Sequence, residues 1–316
     1  MKYYADDGYL HARIYAMRSR LLTLRDYVSI VRNRQGFCEE VCDLQNPVDV
    51  KETVFKEQTR NIITLAEVTG IYARLFIAFL RQFETMNVKQ LLSGAFNRPS
   101  LEQWYDIGPY AVLDRSLVGE KLTVDDIRDL LAHTYLKEVF ESCSKYERME
   151  IRIDLCTLRN LYDSVSVFHP EARRVFQGIV RMRLAVTSII WIWRLKEGYQ
   201  LSDEKIQEHL ETIHGLFGLS PGLYLEKMGR ILNSRIEQIR KSSSRTPEAA
   251  DIEYFLEQYY YNWISKAFHK DFHSIYCVVS YLWLLDCQIR NLFRIIDALR
   301  FGLSPETIIE RIICEV

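Results

Sequence analysis

The chain has 316 residues, which is long enough for two or three modest domains with buried cores. Lys and Arg total 41 against 42 Asp and Glu, a net charge of −1, and this balance argues against a dedicated nucleic-acid-binding protein. A hydrophobic fraction of 48% argues against disorder, and only 13 glycines and 7 prolines favour long helices over many short strands. The composition therefore predicts an all-α protein.

The first segment, YLHARIYAMRSRLLTLRDY from Tyr9, predicts two helices. Its apolar residues recur at helical spacing and form one stripe (Leu10, Ile14, Met17 and Leu21). Thr23 and Asp26 have the spacing of a capping box, so we expect a second helix to begin near Leu24.

Three later segments resemble one another, and they begin at Asn87, Thr187 and Asn291. Apolar pairs follow at the same offset in each, and the second and third segments share Leu-basic-x-Gly and then Leu-Ser. The Gly suits a helix C-cap and the Ser a new N-cap, so each segment should end as helix, tight turn, helix. Spacings of about 100 residues predict three helical units, over residues 1–108, 109–212 and 213–316.

The two most apolar windows are Leu184–Trp193 and Ile275–Leu285. Each spans about half of the roughly 20 residues that a membrane helix requires, so both are predicted to be buried core helices. The start of the chain has acidic residues where a signal peptide would be apolar, and the seven scattered cysteines are expected to be reduced in the cytoplasm. The Ser-rich stretch Arg240–Asp251 is expected to be an exposed loop.

Catalytic motifs are not found in this sequence. No glycine-rich phosphate loop and no nucleophile elbow occurs, so we expect no cofactor and no catalytic residue. His269 and His273 share one helical face, as a zinc site requires, but Lys270 stands where a metalloprotease has its glutamate. We expect no metal, and a metal-dependent hydrolase that uses these two histidines is a minor alternative.

Five arginines lie in the first and last helical segments: Arg13, Arg18, Arg20, Arg290 and Arg294. Each alone suits a solvated helix face. Together they could line a polar protein-binding surface, because the planar guanidinium suits interfaces with carboxylates.

The two ends of the chain resemble the C subunit of the V/A-type rotary ATPases, whose eukaryotic counterpart is the d subunit. The opening segment carries part of the resemblance (Tyr9, Ala12, Arg13, Ser19, Arg20, Leu21 and Leu22). The closing segment carries more of it (Ile289, Arg290, Asn291, Arg294, Leu299, Gly302, Leu303 and Pro305). Departures from the family pattern are Cys287–Gln288 in place of a glutamate, Thr187 in place of Asn, and the aromatic Trp191 and Trp193.

The resemblance implies three similar helical units around a pseudo-threefold axis, with a funnel shape. It implies a non-catalytic subunit on the cytoplasmic side of the membrane, which couples the central-shaft subunits, of the D and F type, to the proteolipid rotor ring. Contact with the membrane would be through the ring only, and the arginines would lie at a polar mouth for the shaft. The alternative is a helical-repeat scaffold or regulator with an unrelated partner.

Overall fold

The computed structural model describes residues 3–33, 47–98, 103–140, 146–198, 200–208, 222–243, 248–270 and 274–315. These ranges contain helices and turns and no strand, which confirms the all-α prediction. The α-helices are α1 (Tyr3–Arg18), α2 (Leu24–Asn33), α3 (Pro47–Val68), α4 (Ala73–Ala95), α5 (Val124–Leu131), α6 (Tyr146–Ser164), α7 (Pro170–Trp193), α8 (Gly222–Ser243), α9 (Ala249–Phe268), α10 (Ile275–Arg300) and α11 (Pro305–Ile309).

The long helices form three helical hairpins, which are α3 with α4, α6 with α7, and α9 with α10. One hairpin falls in each predicted unit. The second helix of each hairpin packs on the first helix of another hairpin. Helix α4 contacts α6, α7 contacts α9, and α10 contacts α3. The hairpins therefore close into a ring, while the unit boundaries, the pseudo-threefold axis and the funnel shape stay predictions.

The largest core cluster joins all three predicted units, since it runs from Leu10 to Ile313. Helix α10 lies at its centre and contacts α1, α3, α7, α9 and α11. The windows Leu184–Trp193 and Ile275–Leu285 are largely buried, as predicted. In the described part of the chain, the helical stretch Pro170–Lys196 is by length and composition apolar enough to cross a membrane, but 61% of its apolar window is buried within the fold.

The turn after α10 follows the prediction closely. Gly302 has φ +67°, the Leu303 N–H donates to the Ala298 carbonyl at 3.0 Å, and the Ser304 hydroxyl accepts from the Thr307 N–H, so a helix ends and α11 begins. The capping box of Thr23 and Asp26 is also confirmed, with the Thr23 N–H donating to the carboxylate at 2.8 Å.

The first of the three similar segments departs from the prediction. Gly94 lies inside α4, and Asn97 takes the left-handed conformation at φ +52°, while the Arg98 N–H donates to the Ser93 carbonyl at 2.8 Å. Asparagine tolerates this conformation better than most residues. The next α-helix among the described residues begins only at Val124, so helix, tight turn, helix was wrong here.

The second segment ends α7 with a wider π turn, Arg194–Gly198, and Gln200 is left-handed at φ +50°. The Ser-rich stretch is shorter as a loop than predicted, because α8 extends to Ser243 and α9 begins at Ala249. Residues 244–247 lie outside the described residues.

Candidate partner interface

A cleft of about 250 Å³ lies at the centre of the hairpin ring, between α4, α6, α7 and α10. We call it the central cleft. Apolar side chains line part of it, and we call this part the apolar wall (Phe83, Met86, Leu158, Ile289 and Phe293). Four charged side chains also line the cleft (Asp154, Arg183, Asp286 and Arg290).

Described residues continue the central cleft in two directions. Toward the linkers that join the two helices of each hairpin, the space is filled by the fully buried Phe76, Phe79 and Phe176. Toward the opposite end, a further recess of about 110 Å³ shares Asp154 with the cleft and is bordered by Lys89 and other residues. We call the first of these two ends of the ring the linker end.

A buried ionic cluster forms one wall of the central cleft. The Glu257 side chain on α9 is only 3% exposed. Arg183 Nη1 donates to both of its oxygens at 2.8 Å, and Arg290 Nη1 lies 3.2 Å from Oε2. Arg290 Nη2 also lies 2.8 Å from the Asp286 carboxylate, one helical turn earlier. Two guanidinium groups and two carboxylates thus balance one another.

The pKa shifts in this cluster follow from the pairing. Burial alone would raise the pKa of Glu257, but Arg183 and Arg290 outweigh it and lower the pKa to about 2. Burial alone would lower the pKa of Arg290, yet the carboxylates of Asp286 and Glu257 raise it above its usual value. Glu257, Arg183 and Arg290 are therefore charged at neutral pH.

Arg294, one turn further along α10, is partly buried and is not part of these pairs. Its Nη1 donates to the Asn291 side-chain oxygen at 3.3 Å. Burial and the neighbouring charge of Arg290 lower its pKa from the usual value.

Each of the three contacts between hairpins carries an ion pair. Lys89 of α4 lies 2.5 Å from Asp154 of α6. The Arg183–Glu257 pair at 2.8 Å joins α7 to α9. A third pair, Lys51 with Asp297 at 2.6 Å, joins α3 to α10. Sequence reasoning missed these pairs, because their members are far apart along the chain and no local pattern joins them.

The arginines of the first helix lie elsewhere. Arg13 donates to the Tyr9 hydroxyl at 3.0 Å, and Arg18 lies 3.5 Å from Glu315 and over the Phe268 ring. Arg20 is exposed and borders a second pocket of about 320 Å³, which α10 lines with a different set of side chains from those facing the central cleft. The five arginines therefore do not converge on one surface, and their role in partner binding stays a prediction.

Two departures noted in the sequence have structural counterparts. Gln288 accepts from the Leu22 N–H at 2.6 Å and donates to the Gln58 side chain at 2.6 Å. Gln288 of α10 thereby links the turn between α1 and α2 to α3 through two side-chain hydrogen bonds. Thr187, the counterpart of the two asparagines, faces the central cleft.

The two asparagines make the same kind of contact. Asn87 donates to the Tyr105 carbonyl at 3.0 Å and accepts from its N–H at 2.9 Å. Asn291 does the same with Ile313, at 2.7 and 3.1 Å. Each side chain pairs with one buried backbone unit, as a neighbouring peptide would. The shared asparagine in the sequence was the signal for this contact.

The described residues contain no group of three or more His, Cys, Asp and Glu side chains placed to hold a metal. His269 follows α9 and its ring lies 5.2 Å from that of Phe268, whereas His273 lies outside the described residues. The histidine pair of the minor alternative is therefore not tested.

Comparison with known proteins gives one family and two relatives. The family described as ATP synthase (C/AC39) subunit matches residues 53–311, which is most of the chain. The chain is 24% identical to the A-type ATP synthase C subunit of Methanosarcina mazei over 225 aligned positions. The alignment covers 63% of this chain and 61% of the relative, so the chain spans less than two thirds of that relative's length. It is 21% identical over 340 aligned positions to the A-type ATP synthase C subunit of Methanosarcina barkeri, covering 96% of this chain and 92% of the relative.

Proposed function

Because this chain belongs to the ATP synthase (C/AC39) subunit family, we propose that it is the non-catalytic central-stalk socket of a V/A-type rotary ATPase. In this role it couples the central-shaft subunits to the proteolipid rotor ring on the cytoplasmic side of the membrane, and so links ATP chemistry to H⁺ or Na⁺ transport. In this role the chain itself catalyses no reaction.

The observation that carries the proposal is the closed ring of three hairpins around a cleft. A socket must present a recess to the shaft and must keep its shape under load. The central cleft is backed toward the linker end by fully buried aromatic side chains. Its three hairpin contacts are each fixed by an ion pair at 2.8 Å or less.

The linker end is the side that we assign to the rotor ring. Large apolar side chains are exposed in the linkers or beside them (Val68, Ile71 and Val167). The rings of Tyr72 and Phe168, 4.9 Å apart, hold the first two linkers together. Close packing on another protein would bury these side chains, since contiguous exposed apolar groups mark interaction surfaces.

Arg13 and Arg20 remain candidates for a polar rim away from the central cleft, since neither residue lines it. Replacing both by glutamate should weaken shaft binding, and unchanged affinity would refute this part of the proposal. Arg290 is not a suitable test of a rim, because its charge is already paired inside the fold.

The proposal is tested by mixing the purified full chain with the purified shaft subunits, and separately with the detergent-solubilised rotor ring. Size-exclusion chromatography with light scattering should show a 1:1 complex with the shaft and co-elution with the ring. Failure to bind either at micromolar concentration would refute the socket and leave a helical scaffold with an unrelated partner.

A further inference from the structure

Met86 marks the apolar wall of the central cleft. It lies on α4 and is 42% exposed, although α4 is otherwise packed between α3 and α6. Phe83, one turn earlier, and Phe293 of α10 line the same wall. Methionine and aromatic side chains adapt to the shape of an inserted group, so this wall suits an apolar guest.

The charged side chains of the central cleft already have counter-charges. Asp154 pairs with Lys89 at 2.5 Å, Arg183 with Glu257 at 2.8 Å, and Arg290 with Asp286 at 2.8 Å. A charged group entering the cleft would lose its hydration without meeting an unpaired counter-charge among these residues, which is costly. The cleft thus selects against charge even though charged residues line it.

We propose that the central cleft recognises an apolar knob, one or two Leu, Met or Phe side chains at the end of a shaft helix, and that this contact is insensitive to salt. This inference rests on the proposed function. A cavity of about 150 Å³ is known to hold a molecule of the size of benzene. The cleft, at about 250 Å³, therefore has room for one large side chain or two smaller ones. Recognition at the cleft is then by shape and burial, with any charged rim acting separately.

The test compares two substitutions of equal exposure in the full chain. Met86→Glu places a charge in the central cleft. Leu130→Glu is the matched control, because Leu130 is also 42% exposed on a helix, α5, and does not line the cleft. Both variants replace a surface-accessible side chain, and circular dichroism and thermal unfolding confirm that they fold. A third variant, Met86→Leu, keeps the apolar character.

Binding of each variant to the purified shaft subunits is measured by calorimetry at about 0.1 M and about 1 M salt, which shortens the Debye length from about 10 Å to about 3 Å. We expect Met86→Glu to weaken binding more than about tenfold, as at the centre of an interface, and the two other variants to stay within about threefold. The ratio of wild-type to Met86→Glu affinity should be the same at both salt concentrations.

The outcomes separate the two proposals. If wild-type protein binds the shaft and Met86→Glu binds equally well, the apolar knob is wrong and the socket stands. A Met86→Glu effect that disappears at high salt would show that recognition is electrostatic and would also overturn the inference. If the wild-type chain does not bind the shaft, the socket and the knob fall together.

Discussion

Glu257 holds two arginines in the wall of the central cleft, so its replacement by glutamine should be strongly destabilising. Glu257→Gln keeps the size of the side chain but leaves Arg183 and Arg290 with an uncompensated charge. Breaking a buried ion pair in this way costs about 3–5 kcal/mol. The lowered carboxyl pKa of about 2, against an ordinary 4.5, points in the same direction, since it corresponds to about 3 kcal/mol.

The measurement is the free energy of unfolding in urea, supported by calorimetry, where about 3 kcal/mol should lower the Tm of a chain of this length by roughly 4–5 °C. The control is Glu253→Gln, which breaks the more exposed Arg194–Glu253 pair of 2.6 Å and should cost less than about 1 kcal/mol. If Glu257→Gln costs no more than this control, the cluster does not stabilise the fold as argued.

The same substitution makes a pH prediction with a definite sign. The pKa of Glu257 is lowered in the folded protein, so its contribution is complete above pH 4.5 and is lost as pH falls toward 2. Wild-type protein should therefore lose its stability advantage over Glu257→Gln between these pH values. An advantage that stays constant across this range would contradict the assigned charge state.

Two further predictions concern the helix ends and the paired asparagine. Asn291→Ala should lower the free energy of unfolding by about 2–4 kcal/mol, because the buried N–H and carbonyl of Ile313 lose their partners. The control Asn262→Ala, on the exposed face of α9, should lower it much less, and urea unfolding measures both. Gly302→Ala should lower the free energy of unfolding by about 1 kcal/mol, because φ is +67° at this position. Gly94→Ala, inside α4, should raise the free energy of unfolding by about 0.5–1 kcal/mol. The backbone argument is wrong if the two substitutions shift Tm in the same direction.

The sequence predicted the helices better than their contacts. The spacing of apolar residues located α1, although Leu21 of the predicted stripe lies beyond its end at Arg18. Apolar content located the two core windows, and the capping box located the start of α2, because these signals are local. The C-terminal turn was also local, and Gly302 fitted it. In the first segment the rule failed, because Asn97 rather than Gly94 takes the left-handed turn.

The candidate site could be predicted only in part. Arg290 was proposed as a partner-binding arginine, which stays a prediction, and the sequence contained no sign that Glu257 of α9 would pair with it. The Arg183–Glu257 contact spans 74 residues and Lys89–Asp154 spans 65, so only the packing of one hairpin on the next brings them together. Charge pairing between distant helices is a property of the ring and not of any segment.

The arrangement of polar and apolar contacts suits the proposed coupling role. Apolar burial supplies most of the cohesion of a core, and interdigitated side chains already resist sliding of one helix along another. An ion pair at 2.5 to 2.8 Å fixes the position of two helices along their axes, because a shift of one turn would separate the charges. One such pair at each hairpin contact therefore resists shear around the whole ring. A part that transmits torque needs this resistance in both directions of rotation, which a closed ring provides and an open row of hairpins would not.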